Sequence, residues 1–101
     1  MGVYGGTFDP VHYGHLRIAE ESGDLIGLTR VIFVPSGTPR LRVEPIASRT
    51  HRSQMLSLAI HGNDRFLLDN REIHRDGIST TVESLREFRS EVDDQTALCF
   101  L

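Results

Sequence analysis

The chain has 101 residues, enough for one compact domain with a single modest core. Hydrophobic residues make up 39% and charged residues 25%, which argues against wholesale disorder, and a net charge of −3 argues against general nucleic-acid binding. All 11 basic residues are Arg, and the absence of Lys excludes the P-loop signature, Schiff-base catalysis and a lysyl–nucleotide intermediate.

In chain order, Met1–Tyr4 reads as a short strand running into Gly5-Gly6. A helix is predicted from His15 to about Ile26, with Leu16, Ala19 and Ile26 on its apolar side and Gly23 as a weak point. Val31–Val34 is β-branched and aromatic without alternation, as a strand covered on both faces would be. Pro35 ends it and opens a loop to about Ala47. A second helix spans Ser48 to His61, with Met55, Leu56, Ala59 and Ile60 as its stripe and Gly62 where a C-terminal cap belongs. Phe66-Leu67-Leu68 reads as a short buried strand. Thr80 to Glu83 has the spacing of a capping box, followed by an apolar stripe of Val82, Leu85, Phe88 and Val92. Asp93-Asp94 closes that helix, and Thr96–Leu101 reads as a last strand.

The order β-α-β-α-β-α-β predicts an α/β fold with a parallel sheet built from right-handed crossovers. The chain stops inside its most apolar run, leaving one face of the expected sheet bare, so a truncated chain or the first half of a longer domain is expected. Apolar runs of about five residues are far short of the roughly 20 that cross a bilayer, and the start has neither a basic stretch nor an apolar core of a secretory signal. A myristoyl signal would need Ser or Thr where Gly6 stands. Cys99 has no partner for a disulfide or a thiolate cage and reads as a small core residue. The expected compartment is the cytosol, with no membrane partner.

Ligands of an open parallel sheet bind beyond the carboxyl ends of its strands, so the loops starting at Gly5, Pro35 and Asp69 are the candidates. The first runs Gly5-Gly6-Thr7-Phe8-Asp9-Pro10-Val11-His12-Tyr13-Gly14-His15. Its glycines let backbone amides approach a ligand, and the next helix aims its N-terminus at the same point. His12 and His15, three apart, share one face of the first turn. The convergence suits a polyphosphate. A plain tight turn, a capping pair of histidines, or a zinc site completed by Asp9 are the other readings of these residues.

This loop resembles the G-T-F-D-P-x-H-x-G-H signature of the H-x-G-H nucleotidyltransferase superfamily, and within it the chain is similar to bacterial nicotinate mononucleotide adenylyltransferases. The likeness continues through Val34-Pro35-Ser36-Gly37-Thr38-Pro39, Arg52 with Met55-Leu56, and Ser79-Thr80-Thr81, so it covers essentially the whole chain. It implies a Rossmann-like sheet in which residues 1–101 are the N-terminal part of a single nucleotidyltransferase domain. It also implies a reaction, ATP plus nicotinate mononucleotide giving nicotinate adenine dinucleotide and pyrophosphate, with Mg²⁺ held mainly by the ATP phosphates and water.

The attacking group is already a phosphate oxygen, so positioning and charge stabilisation suffice. The amides near Gly5, Gly6, Thr7 and Phe8, with His12 and His15, could supply both. Arg40, Arg42, Arg49 and Arg52 surround the second loop, and Arg42 matches the family's basic position. Leu41 stands where the family has His, and Arg40 where it has a second Pro. The resemblance places Thr81 at the nicotinate carboxylate, whereas Thr80 replaces a usual Tyr. The family's Gly-x-Asp loop and I-S-S-T-x-I-R segment do not occur within Met1–Leu101. His51, His61 and His74 read as surface residues. A phosphopantetheine adenylyltransferase usually has Thr where His12 stands, and it is the alternative enzyme. A non-catalytic nucleotide-binding module is the alternative outside enzymes.

Overall fold

The computed structural model describes residues 1–37, 48–75 and 80–101. Its elements are β1 (Gly2–Gly6), α1 (Tyr13–Ile26), β2 (Val31–Pro35), α2 (Arg49–Ile60), β3 (Phe66–Leu68), α3 (Arg71–His74), α4 (Thr81–Glu91) and β4 (Cys99–Phe100). The strands form one parallel sheet in the order β3-β2-β1-β4, with Tyr4 opposite Phe33, Phe33 opposite Leu68 and Val3 opposite Phe100. The chain moves outward from β1 to β3 and then returns to the other side of β1. This reversal makes the exit of β1 the topological switch point, the place where open parallel sheets generally bind their ligands.

Alternation along the strands sorts the core into two layers. Tyr4, Val31, Phe33 and Phe66 pack with Ala19 of α1 and Leu56 and Ile60 of α2. Val3 and Val34 pack with Phe88 of α4 on the opposite face, joined by Leu85 and Ile32. β2 is therefore covered on both sides, as its unbroken apolar run predicts. No helix among the described residues is long and apolar enough to cross a membrane.

Several elements differ in detail from the sequence-based expectation. α1 begins at Tyr13 because His12 is its N-cap, and Ile26 faces solvent while Gly23 is buried. Gly23 is where Arg65 lies across the helix, in contact with the place its Cβ would occupy, so it is a packing site and no weak point. The buried stripe of α2 is Arg52, Leu56 and Ile60, with Ala59 exposed. In α4 the Thr80 hydroxyl accepts from the Glu83 amide at 3.2 Å, but Glu83 turns toward Arg75 at 3.9 Å, so the reciprocal half of the box is missing. Val82 is 55% exposed and the buried positions are Ser84 and Phe88, because α4 meets the sheet across a different stripe. The last strand is only Cys99–Phe100, at the sheet edge, with Phe100 52% exposed; Cys99 packs against the core as expected.

The loop after β3 contains the unexpected α3, a hub between the layers. Arg71 bonds to Asp69 at 2.9 Å and Glu91 at 2.7 Å, and its guanidinium lies 3.6 Å over the Phe88 ring. Burial alone would raise the Asp69 carboxyl, but the hydrogen bonds and charge of Arg71 outweigh it and hold Asp69 below the usual carboxylate range. The buried Ser84 hydroxyl donates to Glu72 at 2.6 Å and accepts from Arg75 at 3.1 Å. On the other side, a Cβ added at Gly37 would clash with the Glu72 carbonyl oxygen and lie 3.2 Å from its carbon. Backbone cannot yield as a flexible side chain does, so Gly37→Ala is expected to destabilise the chain by about 1–3 kcal/mol in urea unfolding.

Candidate active site

β1 delivers Gly5-Gly6 to the switch point, and the chain then turns sharply before α1. A Cβ on Gly6 would stand 3.3 Å from the Phe8 ring, closer than most Cβ contacts, so a side chain there would require the ring to give way. Phe8 is buried with a left-handed backbone, φ 51°. Two carbonyls of this turn are held from behind: Gly6 accepts from the Ser36 amide at 2.8 Å, and Thr7 accepts from the Arg52 guanidinium at 2.8 Å. In a trans peptide the C=O and the following N–H point in opposite directions. Anchoring the Gly6 and Thr7 carbonyls therefore aims the amides of Thr7 and Phe8 away from β2 and α2. Among the described residues, neither amide meets a protein acceptor. Successive amides beside a left-handed residue form the kind of concavity that accepts an anion.

His12 and His15 come together as predicted, their rings stacked with centroids 3.9 Å apart. They are also the capping pair. The His12 Nδ1 accepts from the Gly14 amide at 3.1 Å, and the His15 Nδ1 accepts from the His12 amide at 3.0 Å. This is a capping box in which imidazoles replace the usual hydroxyl and carboxylate. A nitrogen that accepts a hydrogen bond carries no proton, so each neutral ring holds its proton on Nε2. The helix thus uses several of its own first-turn donors internally and presents two Nε2–H groups in their place. Capping occupies Nδ1 of each ring and leaves the opposite nitrogen open, so the capping reading does not exclude the anion-binding one.

Burial first, and then neighbouring His12, push the His15 imidazole below the ordinary 6.5. A lowered folded-state value means the unfolded chain binds the proton better. His15 therefore contributes stability that is full above the ordinary pKa and is lost as pH falls through the lower folded value.

The other predicted residues are less closely gathered. Thr81 is the exposed first residue of α4, and α4, joining two parallel strands, starts at the same carboxyl edge as the histidine pair but on the opposite face of the sheet. Arg40, Leu41 and Arg42 lie outside the described residues. Arg52 is 1% exposed and donates to the carbonyls of Thr7, Ser36 and Gly37 at 2.8, 2.8 and 3.2 Å, so it belongs to the frame of the site and not to a solvent-facing cation patch. Arg49 donates to the Ile73 carbonyl at 3.2 Å, tying α2 to α3. The frame role of Arg52 has one sequence signal, its i, i+4, i+8 spacing with Leu56 and Ile60. Among the described residues no three His, Cys, Asp or Glu side chains assemble a metal site, and His12 and His15 have turned Nδ1 to backbone amides.

Residues 3–98 match the family model described as Cytidylyltransferase-like. The chain is 48% identical over 101 residues to a probable nicotinate-nucleotide adenylyltransferase of Citrobacter koseri and 46% identical to one of Shigella boydii. Each match takes in all of this chain and 47% of the relative, so the chain spans about half the length of the curated relatives it matches. Its fold is similar to that of a Plasmodium falciparum nicotinic acid mononucleotide adenylyltransferase complexed with NaAD, with a TM-score of 0.81 and 21% identity over 98% of this chain and 49% of that one. A structure of that protein complexed with APC gives a TM-score of 0.77 at 20% identity, over 98% and 48% of the two chains.

Proposed function

The chain belongs to the cytidylyltransferase-like family, and from that premise we propose that it forms the N-terminal, phosphate-handling part of a single nucleotidyltransferase domain that makes nicotinate adenine dinucleotide from ATP and nicotinate mononucleotide. The observation that carries this reading is the turn after β1, where two aimed amides and two Nε2–H groups share one loop. The mononucleotide phosphate attacks the α-phosphorus of ATP and pyrophosphate leaves. The chain's part is to hold the triphosphate in line and to donate hydrogen bonds as negative charge grows on the α-phosphate and the departing oxygen. The amides of Thr7 and Phe8, at the glycine turn of Gly5 and Gly6, take the phosphate oxygens. His12 and His15 donate Nε2–H to the transferring and leaving groups. Arg42 is assigned to the β- and γ-phosphates, and Thr81, at a helix N-terminus, to the nicotinate carboxylate. Mg²⁺ is assigned to the phosphates and water, where it neutralises charge on the pyrophosphate.

The test offers ATP with nicotinate mononucleotide, its amide or phosphopantetheine and follows pyrophosphate release. It uses the chain alone and the chain joined to the second half of the Citrobacter koseri relative. Fastest release with nicotinate mononucleotide is expected in the joined protein. Faster turnover of phosphopantetheine would overturn the substrate, and ATP affinity without turnover of any acceptor in the joined protein would reduce the chain to a binding module.

A further inference from the structure

Phe8 combines features that its backbone amide does not explain. Among the described residues it is the one non-glycine with a left-handed backbone, a conformation strained for a bulky L residue and kept only where the surroundings enforce it. A donor amide could be supplied by any residue except proline. The ring is what the surroundings hold: it is 2% exposed and occupies the space beside Gly6. It meets the His15 ring at a centroid distance of 4.9 Å and an angle of 74°. Tyr4 flanks both, 5.4 Å from Phe8 and 6.3 Å from His15. Phe33 supports Phe8 from below at 5.7 Å.

We propose that Phe8 is a positioning residue, whose ring is the floor that orients the His15 imidazole and, with Tyr4, keeps water from it, so that Nε2–H is presented to a phosphate oxygen. The last step rests on the proposed function; the placement of the imidazole does not. Edge-to-face packing fixes the plane of a ring, and the hydrogen bond from the His12 amide to Nδ1 fixes its rotation within that plane. Among the described residues, the titratable groups against His15 are His12, at the N-cap of its own helix, and Tyr4 of β1, whose phenol burial pushes up and keeps neutral. Phe8 brings no charge. Its contribution is exclusion of water, consistent with the lowered proton affinity of His15.

The experiment is nitrogen-resolved NMR of the imidazoles across pH in the 101-residue chain. In the wild type, His15 is expected to carry its proton on Nε2, to titrate below the ordinary histidine range, and to give cross-relaxation between its ring protons and those of Phe8. Phe8→Leu is expected to raise the titration toward the ordinary value and mix the two tautomers. Phe66→Leu, which thins the same core at a ring that packs on Phe33 and not on Phe8, Tyr4 or His15, is expected to leave both unchanged. In the joined protein, Phe8→Leu is expected to lower kcat roughly tenfold or more, with a much smaller change in KM for ATP. A folded Phe8→Leu chain with an unmoved or lowered His15 titration and an intact tautomer overturns the proposal. If that variant fails to fold, wild-type cross-relaxation decides, its absence overturning the proposal and its presence supporting it. A wild-type joined protein with the expected imidazole spectra and no pyrophosphate release would overturn the function and leave the placement of His15 standing.

Discussion

His15→Ala and His12→Ala are each expected to lower pyrophosphate release in the joined protein by about 10²–10³, the usual effect of removing one preorganised donor to developing charge. Each also removes a cap, because both Nδ1 atoms accept amides of the first helical turn. Loss of an N-cap acceptor typically costs about 0.5–2 kcal/mol. Asn separates the two roles. Its Oδ1 stands near the place of Nδ1 and can take the amide, but nothing in Asn reaches the position of Nε2. His15→Asn and His12→Asn should therefore recover much of the lost stability while remaining as slow as the Ala variants. Near wild-type turnover by either Asn variant would end the role assigned to that Nε2–H, whatever its helix does. Equal unfolding midpoints for the Ala variants and the wild type would remove the cap.

Arg52→Met is expected to be the most damaging single substitution away from the histidines. Methionine fills similar space and stays apolar, but it leaves the carbonyls of Thr7, Ser36 and Gly37 without the donor that meets them at 2.8–3.2 Å. An unsatisfied buried acceptor costs about 1–3 kcal/mol and a part-buried one less; the Gly37 bond is buried and the other two part-buried, so a loss of about 2 kcal/mol or more is expected in urea unfolding. The functional loss goes through geometry. With the Thr7 carbonyl released, the Phe8 amide in the same peptide plane loses its direction, and ATP affinity measured by calorimetry should fall about tenfold or more. Arg52→Lys should recover only part of both losses, since an ammonium cannot span three carbonyls as a planar guanidinium does. Stability within about 1 kcal/mol of wild type, together with unchanged ATP affinity in Arg52→Met, would show that the two loops hold their shape without the clamp.

Much was legible in the residues themselves. The β-branched run at Val31–Val34, the glycine turn after the first strand and the Gly62 stop, which has φ 85°, are local signals read locally. Their alternation implied a parallel sheet, and a parallel sheet places its loops at one edge. The length and order of the motif from Gly5 to His15 carried the family, because so many residue types at fixed offsets do not recur by packing alone. The helix limits and stripes were less legible. Propensity alone does not tell whether His12 opens a helix, and apolar content alone does not tell that Arg52 takes a buried position while Ala59 does not.

What the sequence determined by itself was therefore the kind of fold and the loop to which the chemistry is assigned in our proposal, both of which follow from short-range patterning. The imidazole nitrogen left open is set locally, by amides two and three residues away, but the tertiary structure alone decided where the amides of Thr7 and Phe8 point, and that Arg52 belongs to the frame and Phe8 to the floor. Those outcomes depend on groups 16 and 45 residues away, such as the carbonyls of Ser36 and Thr7 that meet Arg52. A hydrogen bond is directional, and its direction is set only when distant segments of the chain have been brought face to face.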